Sequence, residues 1–232
     1  MEKNINRLTL LLLIVAVGMQ TALLVRSYVG DRTTASTTEQ LVHDAPQGAT
    51  MQIADLPVQG NRDAVVMLVE FTDYECPFCA RHATTVAKEL DKKYVISGKV
   101  KHVVVNNPLP IHSNARLLAA GAICAREQGV FWPMHDRIFS ERPRTERDLL
   151  SLFGGLSRDN TGFENCLMED SRIGVILERD VAKAQEFGLI GTPSFAIGKV
   201  DSVGVLSIKK FIKGAAPITV FEDVLNPLVN NP

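Results

Sequence analysis

The chain has 232 residues, 46% hydrophobic and 22% charged, the composition of an ordinary folded protein, which excludes a fibrous or wholly disordered chain. Its 25 Lys and Arg against 26 Asp and Glu leave a net charge of -1, without the basic footprint of a nucleic-acid binder, so no nucleic-acid partner is expected. Four cysteines are too few for a disulfide-stapled mini-protein, and a domain of this size buries a core without such staples.

In chain order, residues 1–7 form a polar tail that carries Lys3 and Arg7. Residues 8–25 are an apolar run broken only by Thr9, Gly18, Gln20 and Thr21, long enough at helical rise to cross a hydrocarbon core, and are read as a transmembrane anchor. A cleaved signal peptide competes, because Ala16-Val17-Gly18 offers small residues behind a basic start. The run continues to Arg26, which favours the anchor. Lys3 and Arg7 on one side against Arg26 and Arg32 on the other leave its orientation open. Residues 26–51 turn polar, with Thr33-Thr34-Ala35-Ser36-Thr37-Thr38 and no periodicity, and read as a flexible linker.

Residues 52–232 read as one α/β unit. Ala64 to Phe71 is a Val-rich apolar run of the kind buried on both faces of a sheet. A helix is expected from Pro77 through Leu90, and Val100 to Val105 is a second strand, parallel to the first because a helix crosses between them. Helices then follow at Ser113 to Gln128, Phe131 to Phe139, Glu146 to Phe153, Phe163 to Glu169 and Arg172 to Phe187, a helical insertion over about residues 112–188. Strand patterns return at Pro193 to Ile197 and Val203 to Ile208, and Thr219 to Leu228 is a closing helix after Pro217.

Cys76-Pro77-Phe78-Cys79 sits where the first strand meets its helix. Cys76 is then the helix N-cap, where unpaired N–H groups and the positive end of the helix dipole favour a thiolate and lower its pKa. A stabilised thiolate is a good leaving group, so a Cys76–Cys79 disulfide opens readily. Cys76 is expected to form the mixed disulfide and Cys79, one turn deeper, to resolve it. A zinc site needs two further ligands, and Cys124 and Cys166 are isolated. His82, shortly after Cys79, offers a soft metal such as copper a further ligand, but no resident metal is expected.

Glu70 to Cys79, the Ile123 to Trp132 segment with Met134-His135-Asp136, Phe163-Glu164-Asn165-Cys166-Leu167, and Gly191-Thr192-Pro193-Ser194-Phe195 are similar to the motifs of the DsbA-type thioredoxin-fold disulfide oxidoreductases. The resemblance covers about residues 52–232 and implies a thioredoxin fold with an inserted helical domain. It implies that Thr192-Pro193 carries a cis peptide beside the redox pair, where an extended substrate segment pairs with the backbone; composition alone allows a plain strand-entry proline. It implies that Glu70 is a buried acid behind the cysteines, whose pKa burial raises until it can relay the proton of Cys79; the other reading is a strand-end glutamate in water. It implies that Cys124 and Cys166 pair in an oxidising compartment, against two buried free thiols. His112, Phe131, Trp132 and His135 match family positions but read as core, and Arg81 and His82 either add positive potential near Cys76 or are solvated.

The expected function is a protein-disulfide oxidoreductase, disulfide-donating, acting on protein thiols on the extracytoplasmic side of a membrane, with no cofactor beyond its redox disulfide. A disulfide reductase or isomerase is the alternative, and a metallochaperone a more distant one. By family analogy a membrane redox partner recycles the pair. The family's dedicated isomerases carry a dimerisation domain for which residues 26–51 leave no room, so a monomer is expected.

Overall fold

The computed structural model describes residues 16–21, 40–53, 56–156 and 159–231. The chain divides into two compact units, Met1–Leu41 and Val42–Pro232. In the first, residues 16–21 are helical; the rest of the expected anchor, the tail and most of the expected linker lie outside the described residues. Among the described residues no helix is long and apolar enough to cross a membrane.

The second unit is built on one mixed sheet in the order β1-β7-β6-β4-β5-β3, with β2 also on β7. β4 (Val66–Thr72) lies centrally, buried at every position, as its unbroken apolar run requires. It pairs in parallel with β5 (Val100–Asn106) and antiparallel with β6 (Ser194–Val200), and β6 pairs antiparallel with β7 (Val205–Lys213). Gly198 sits at the register shift between β6 and β7, where an added Cβ would fall 2.0 Å from the Ser207 carbonyl oxygen. The edges carry β1 (Val42–Asp44), β2 (Thr50–Gln52) and β3 (Val58–Gln59). The folded unit therefore starts before residue 52: part of the expected linker pairs with β7, in segments too short to show alternation.

The expected helix from Pro77 to Leu90 is broken. α1 (Pro77–Thr84) ends where the Thr84 and Thr85 hydroxyls each donate to the carbonyl four residues back, at 2.7 Å, and Thr85 leaves helical geometry at φ -124 and ψ -85. α2 (Val86–Leu90) resumes and runs into a π-helical turn over Asp91–Val95.

The insertion holds α3 (Ala115–Glu127), α4 (Phe131–Glu141), α5 (Glu146–Gly154), α6 (Asn160–Met168) and α7 (Asp170–Glu186), followed after the sheet by α8 (Ile218–Asn230). Its centre is α3, whose small residues let neighbours approach: a Cβ on Gly121 would lie 3.0 Å from a Leu149 methyl. Phe153 of α5 stacks on Phe163 of α6, with ring centres 3.9 Å apart. Cys124 of α3 is disulfide-bonded to Cys166 of α6, the pairing that the resemblance implied. One core, around α3 to α7, extends to Cys76, Cys79 and Val104; a second, around Met67, Val69 and Phe71, fills the other face of the sheet.

Candidate redox site

β4 ends at Thr72, and Asp73-Tyr74-Glu75 turn the chain into α1. The turn is tied by Asp73, whose backbone oxygen accepts from Cys76 N at 3.1 Å and whose carboxylate accepts from Glu75 N at 2.8 Å. Cys76 is the N-cap, with extended backbone at φ -67 and ψ 124, and Pro77 follows in the first helical turn, where its missing N–H costs nothing. The Cys76 sulfur lies 3.5 Å from the Thr192 carbonyl oxygen, and the Thr192-Pro193 peptide is cis. Cys79 is fully buried; its sulfur accepts from Asp73 N at 3.5 Å. Both cysteines are free thiols.

Both thiols are buried, Cys76 at 4% exposure and Cys79 at none, yet they differ in acidity. A hydrogen bond from the Cys79 thiol is the largest influence on Cys76; burial opposes it, and the Thr192 hydroxyl with the N–H groups of Cys79 and Phe78 adds to it, so that Cys76 falls from 9.0 to about 5. The Thr192 hydroxyl is buried and has no hydrogen-bond partner in the structure. Cys79 moves the other way, pushed far up by burial and by its hydrogen bond to Cys76. The helix N-terminus thus supports one anion, at Cys76.

Glu70 is fully buried, as the resemblance implied, but its acidity departs from expectation. Burial raises its pKa, yet the close approach of His102 and the charges that His82, His102 and His135 carry when protonated outweigh burial and take the carboxyl down to about 2. Its Oε2 is 3.3 Å from His102 Nε2 and 3.7 Å from His82 Nε2. The His102 approach lacks good alignment, so neither carboxylate oxygen has a well-formed hydrogen bond. The sequence shows that Glu70 is the one charge in its strand; it does not show that imidazoles from α1, β5 and α4 converge on it.

His82 turns inward against Glu70 and the Phe195 and Phe221 rings, and burial lowers its pKa, so the expectation that it is solvated or adds charge beside Cys76 fails. Arg81 instead stacks on the exposed Phe78 ring, 5.2 Å from its centre. His135 is buried, 3.0 Å from the Tyr74 hydroxyl, and burial lowers it to about 4. Phe131 and Trp132 pack around His135 as core residues. Among the described residues, no group of three or more His, Cys, Asp or Glu is arranged to hold a metal.

Sequence reasoning passed over the role of Asp73. Besides binding the Cys76 turn, its carboxylate accepts from Leu109 N at 2.7 Å and meets His112 Nδ1 at 2.8 Å. Glu75 in turn accepts from Asn114 N at 2.6 Å. Two acids immediately before the cysteine motif, and a Pro-rich loop holding a His after the second strand, were the available signals. Beside Pro77 a groove of about 540 Å³ opens between Tyr74, Glu75 and Leu118 on one side and Arg142 and Arg144 on the other.

The family profile described as Thioredoxin matches residues 54–213. The chain is 34% identical over 142 residues to the Na(+)/H(+) antiporter NhaA 3 of Salinispora tropica, covering 60% of this chain and 21% of that protein. It therefore spans about a fifth of the antiporter relatives that it matches. It is 30% identical over 163 residues to the probable disulfide bond formation protein D of Bacillus anthracis, covering 66% of this chain and 75% of that one. Among solved structures, oxidised BdbD from Bacillus subtilis superposes with a TM-score of 0.65 at 24% identity, covering 81% of this chain and all of that one, a likeness of fold.

Proposed function

This chain belongs to the thioredoxin family, among its DsbA-type disulfide oxidoreductases, and from that premise we propose that it is a thiol-disulfide oxidoreductase that donates disulfides to protein thiols. The carrying observation is the inequality of the pair: a Cys76 sulfur at the helix cap held near 5, above a buried Cys79 held far up. A substrate thiolate attacks Cys76 of the oxidised pair, the Cys76–Cys79 bond breaks, and a Cys76–substrate disulfide forms. A second substrate thiolate attacks the substrate sulfur of that bond, and Cys76 departs as a thiolate. Cys79 leaves as a thiolate, takes up a proton released by the substrate thiol and is then a poor nucleophile, so the mixed disulfide survives long enough for the second attack. The Thr192 carbonyl beside Cys76 supports a role for the Thr192-Pro193 loop in aligning an extended substrate segment, with the exposed Phe78 as an apolar contact. Pro77 sets the cap geometry, and Glu70 with its histidines supports the floor of the site rather than relaying the proton of Cys79.

The direction follows from the same inequality. Whatever stabilises the reduced thiolate makes the disulfide more oxidising. In our reading the chain is a monomer, anchored by residues 8–25 with the catalytic unit on the extracytoplasmic face of the cell membrane, and a membrane redox partner reoxidises the pair; an apolar run able to span and a Cys124–Cys166 bond suited to an oxidising compartment support this. A redox titration of the pair against glutathione tests the direction: a donor equilibrates well above cytosolic thioredoxin, and a potential as reducing as that of thioredoxin would replace the donor reading with a reductase or isomerase.

A further inference from the structure

Disulfide donation leaves a proton and a charge to be placed. When the oxidised pair takes two electrons from a substrate dithiol, one S–S bond forms on the substrate, the Cys76–Cys79 bond breaks, and two protons leave the substrate. Cys79 keeps one of them; Cys76, at about 5, stays a thiolate at neutral pH. The second proton has no place on sulfur. Pro77 and Phe78, between the cysteines, carry no titratable group, so a cation that adds to the support of the helix cap has to come from another element.

The turn that presents Cys76 holds one. His112, in the loop between β5 and α3, is fixed with Nδ1 at 2.8 Å from Asp73 Oδ2. The same Asp73 oxygen accepts from Leu109 N, the other Asp73 oxygen accepts from Glu75 N, and the Asp73 backbone bonds both Cys76 N and the Cys79 sulfur. His112, the Cys76 backbone and the Cys79 sulfur are thus referred to a single buried residue. His112 faces Asp73, Glu75 and Cys76 from the strand-helix turn, and it shares a groove of about 410 Å³ with Arg116 of α3 and Glu178 of α7. Three acids and a thiolate against one arginine favour a protonated ring. The His112 side chain is 18% exposed, enough to exchange a proton with water.

We propose that His112, held by Asp73, is the redox-linked cation of this site: its imidazolium stabilises the Cys76 thiolate through its charge, and the ring holds its proton more tightly once that thiolate forms. The inference rests on the thiol-disulfide reading. His112 acts through space and through Asp73, and is a positioning residue. By reciprocity, the thiolate raises the pKa of His112 by as much as the imidazolium lowers that of Cys76. The direction of the His112 shift, upward through its hydrogen bond to Asp73 and the fields of Asp73, Cys76 and Glu75, agrees.

The test is an NMR titration of the His112 ring in the full chain, oxidised and then reduced with dithiothreitol, with His112→Gln assigning the resonance. Oxidation removes the thiolate, so the pKa of His112 should fall by on the order of half a unit or more on forming the disulfide. A second arm follows the pH profile of Cys76 alkylation in His112→Gln and His112→Lys. Gln should move the profile upward by a similar amount, and Lys, which keeps a charge without the imidazole shape, should hold it near the wild type. The proposal is overturned by a His112 pKa that is the same in both redox states, or by Gln and Lys shifting the profile equally. A pair that cycles normally while His112 stays fixed defeats this proposal alone; a pair that cannot cycle defeats the thiol-disulfide reading beneath it.

Discussion

Replacing Cys76 by serine should remove the thiolate's share, about 2 kcal/mol, from the rise in stability of the reduced protein between about pH 5 and neutral pH. The Cys76 thiol ionises at 9.0 ordinarily and at about 5 at the helix cap. A folded pKa below the unfolded one contributes stability that is fully present above the unfolded value and lost as pH falls through the folded one. Between the two the reduced protein gains about 1.4 kcal/mol per pH unit. From about 5 to neutral pH this amounts to ~2.7 kcal/mol, and screening by water at the open side of the cap brings it to about 2 kcal/mol. Serine keeps the size and hydrogen bonding of the thiol but does not ionise in this range. Urea denaturation of both proteins in dithiothreitol, from about pH 5 to about pH 8, should show the wild type pulling ahead by that amount. Parallel stabilities across the series would mean that the cap does not hold a thiolate, and the reasoning about direction would go with it.

In Cys79→Ala with Cys76 activated as a mixed disulfide with an aromatic thiol, reaction with a reduced protein that holds a single thiol should leave a Cys76–substrate disulfide that persists on non-reducing gels, while Cys76→Ala treated alike gives no adduct; equal trapping by both variants would remove the assigned roles. Replacing Cys124 and Cys166 together by alanine removes a bridge between residues 42 apart, and loop-closure entropy puts the loss at ~4 kcal/mol. The urea midpoint should fall accordingly while the potential of the Cys76–Cys79 pair stays put; an unchanged midpoint would show the bridge to be thermodynamically idle.

What could be read from the sequence divides by the range of the interaction. The buried strand Val66–Thr72, the cysteine pair at its helix cap and the helical insertion each announce themselves within a few residues, because burial, capping and periodicity are local. The Cys124–Cys166 bond and the cis bond before Pro193 came from family likeness, since nothing in their spacing demands either. The edge strands Val42–Asp44 and Thr50–Gln52 escaped notice because three residues make no visible alternation, and the break at Thr85 because its cause is two hydroxyls competing with the helix ladder. The acidity of Glu70 was read with the wrong sign: its burial was foreseeable, but His82, His102 and His135 arrive from three elements, and only the folded chain brings them together. Asp73 and His112 were invisible as a pair for the same reason.

Glu70 and the Cys76 sulfur, near the end of β4, are compensated separately, and two thiols a single helical turn apart differ widely. Glu70 is met by side chains: imidazoles from α1, β5 and α4 stand around it despite its complete burial, and their protonated forms favour the carboxylate. Cys76 is met at the cap by the Cys79 thiol, the Thr192 hydroxyl and the free N–H groups of Phe78 and Cys79. α1 serves both, through its backbone at its first turn and through the inward ring of His82 a turn later. Had Glu70 lacked its imidazoles, burial would have favoured the protonated acid, and a proton held there would compete with Cys79 for the role of buried donor. Cys79 has only the Thr72 side chain and a long contact to Asp73 N to favour its thiolate, and burial keeps its proton in place. The resolving thiol is thus the point where the site leaves an incipient charge without adequate support, and the attacking substrate finds Cys76 as the sulfur that can bear one.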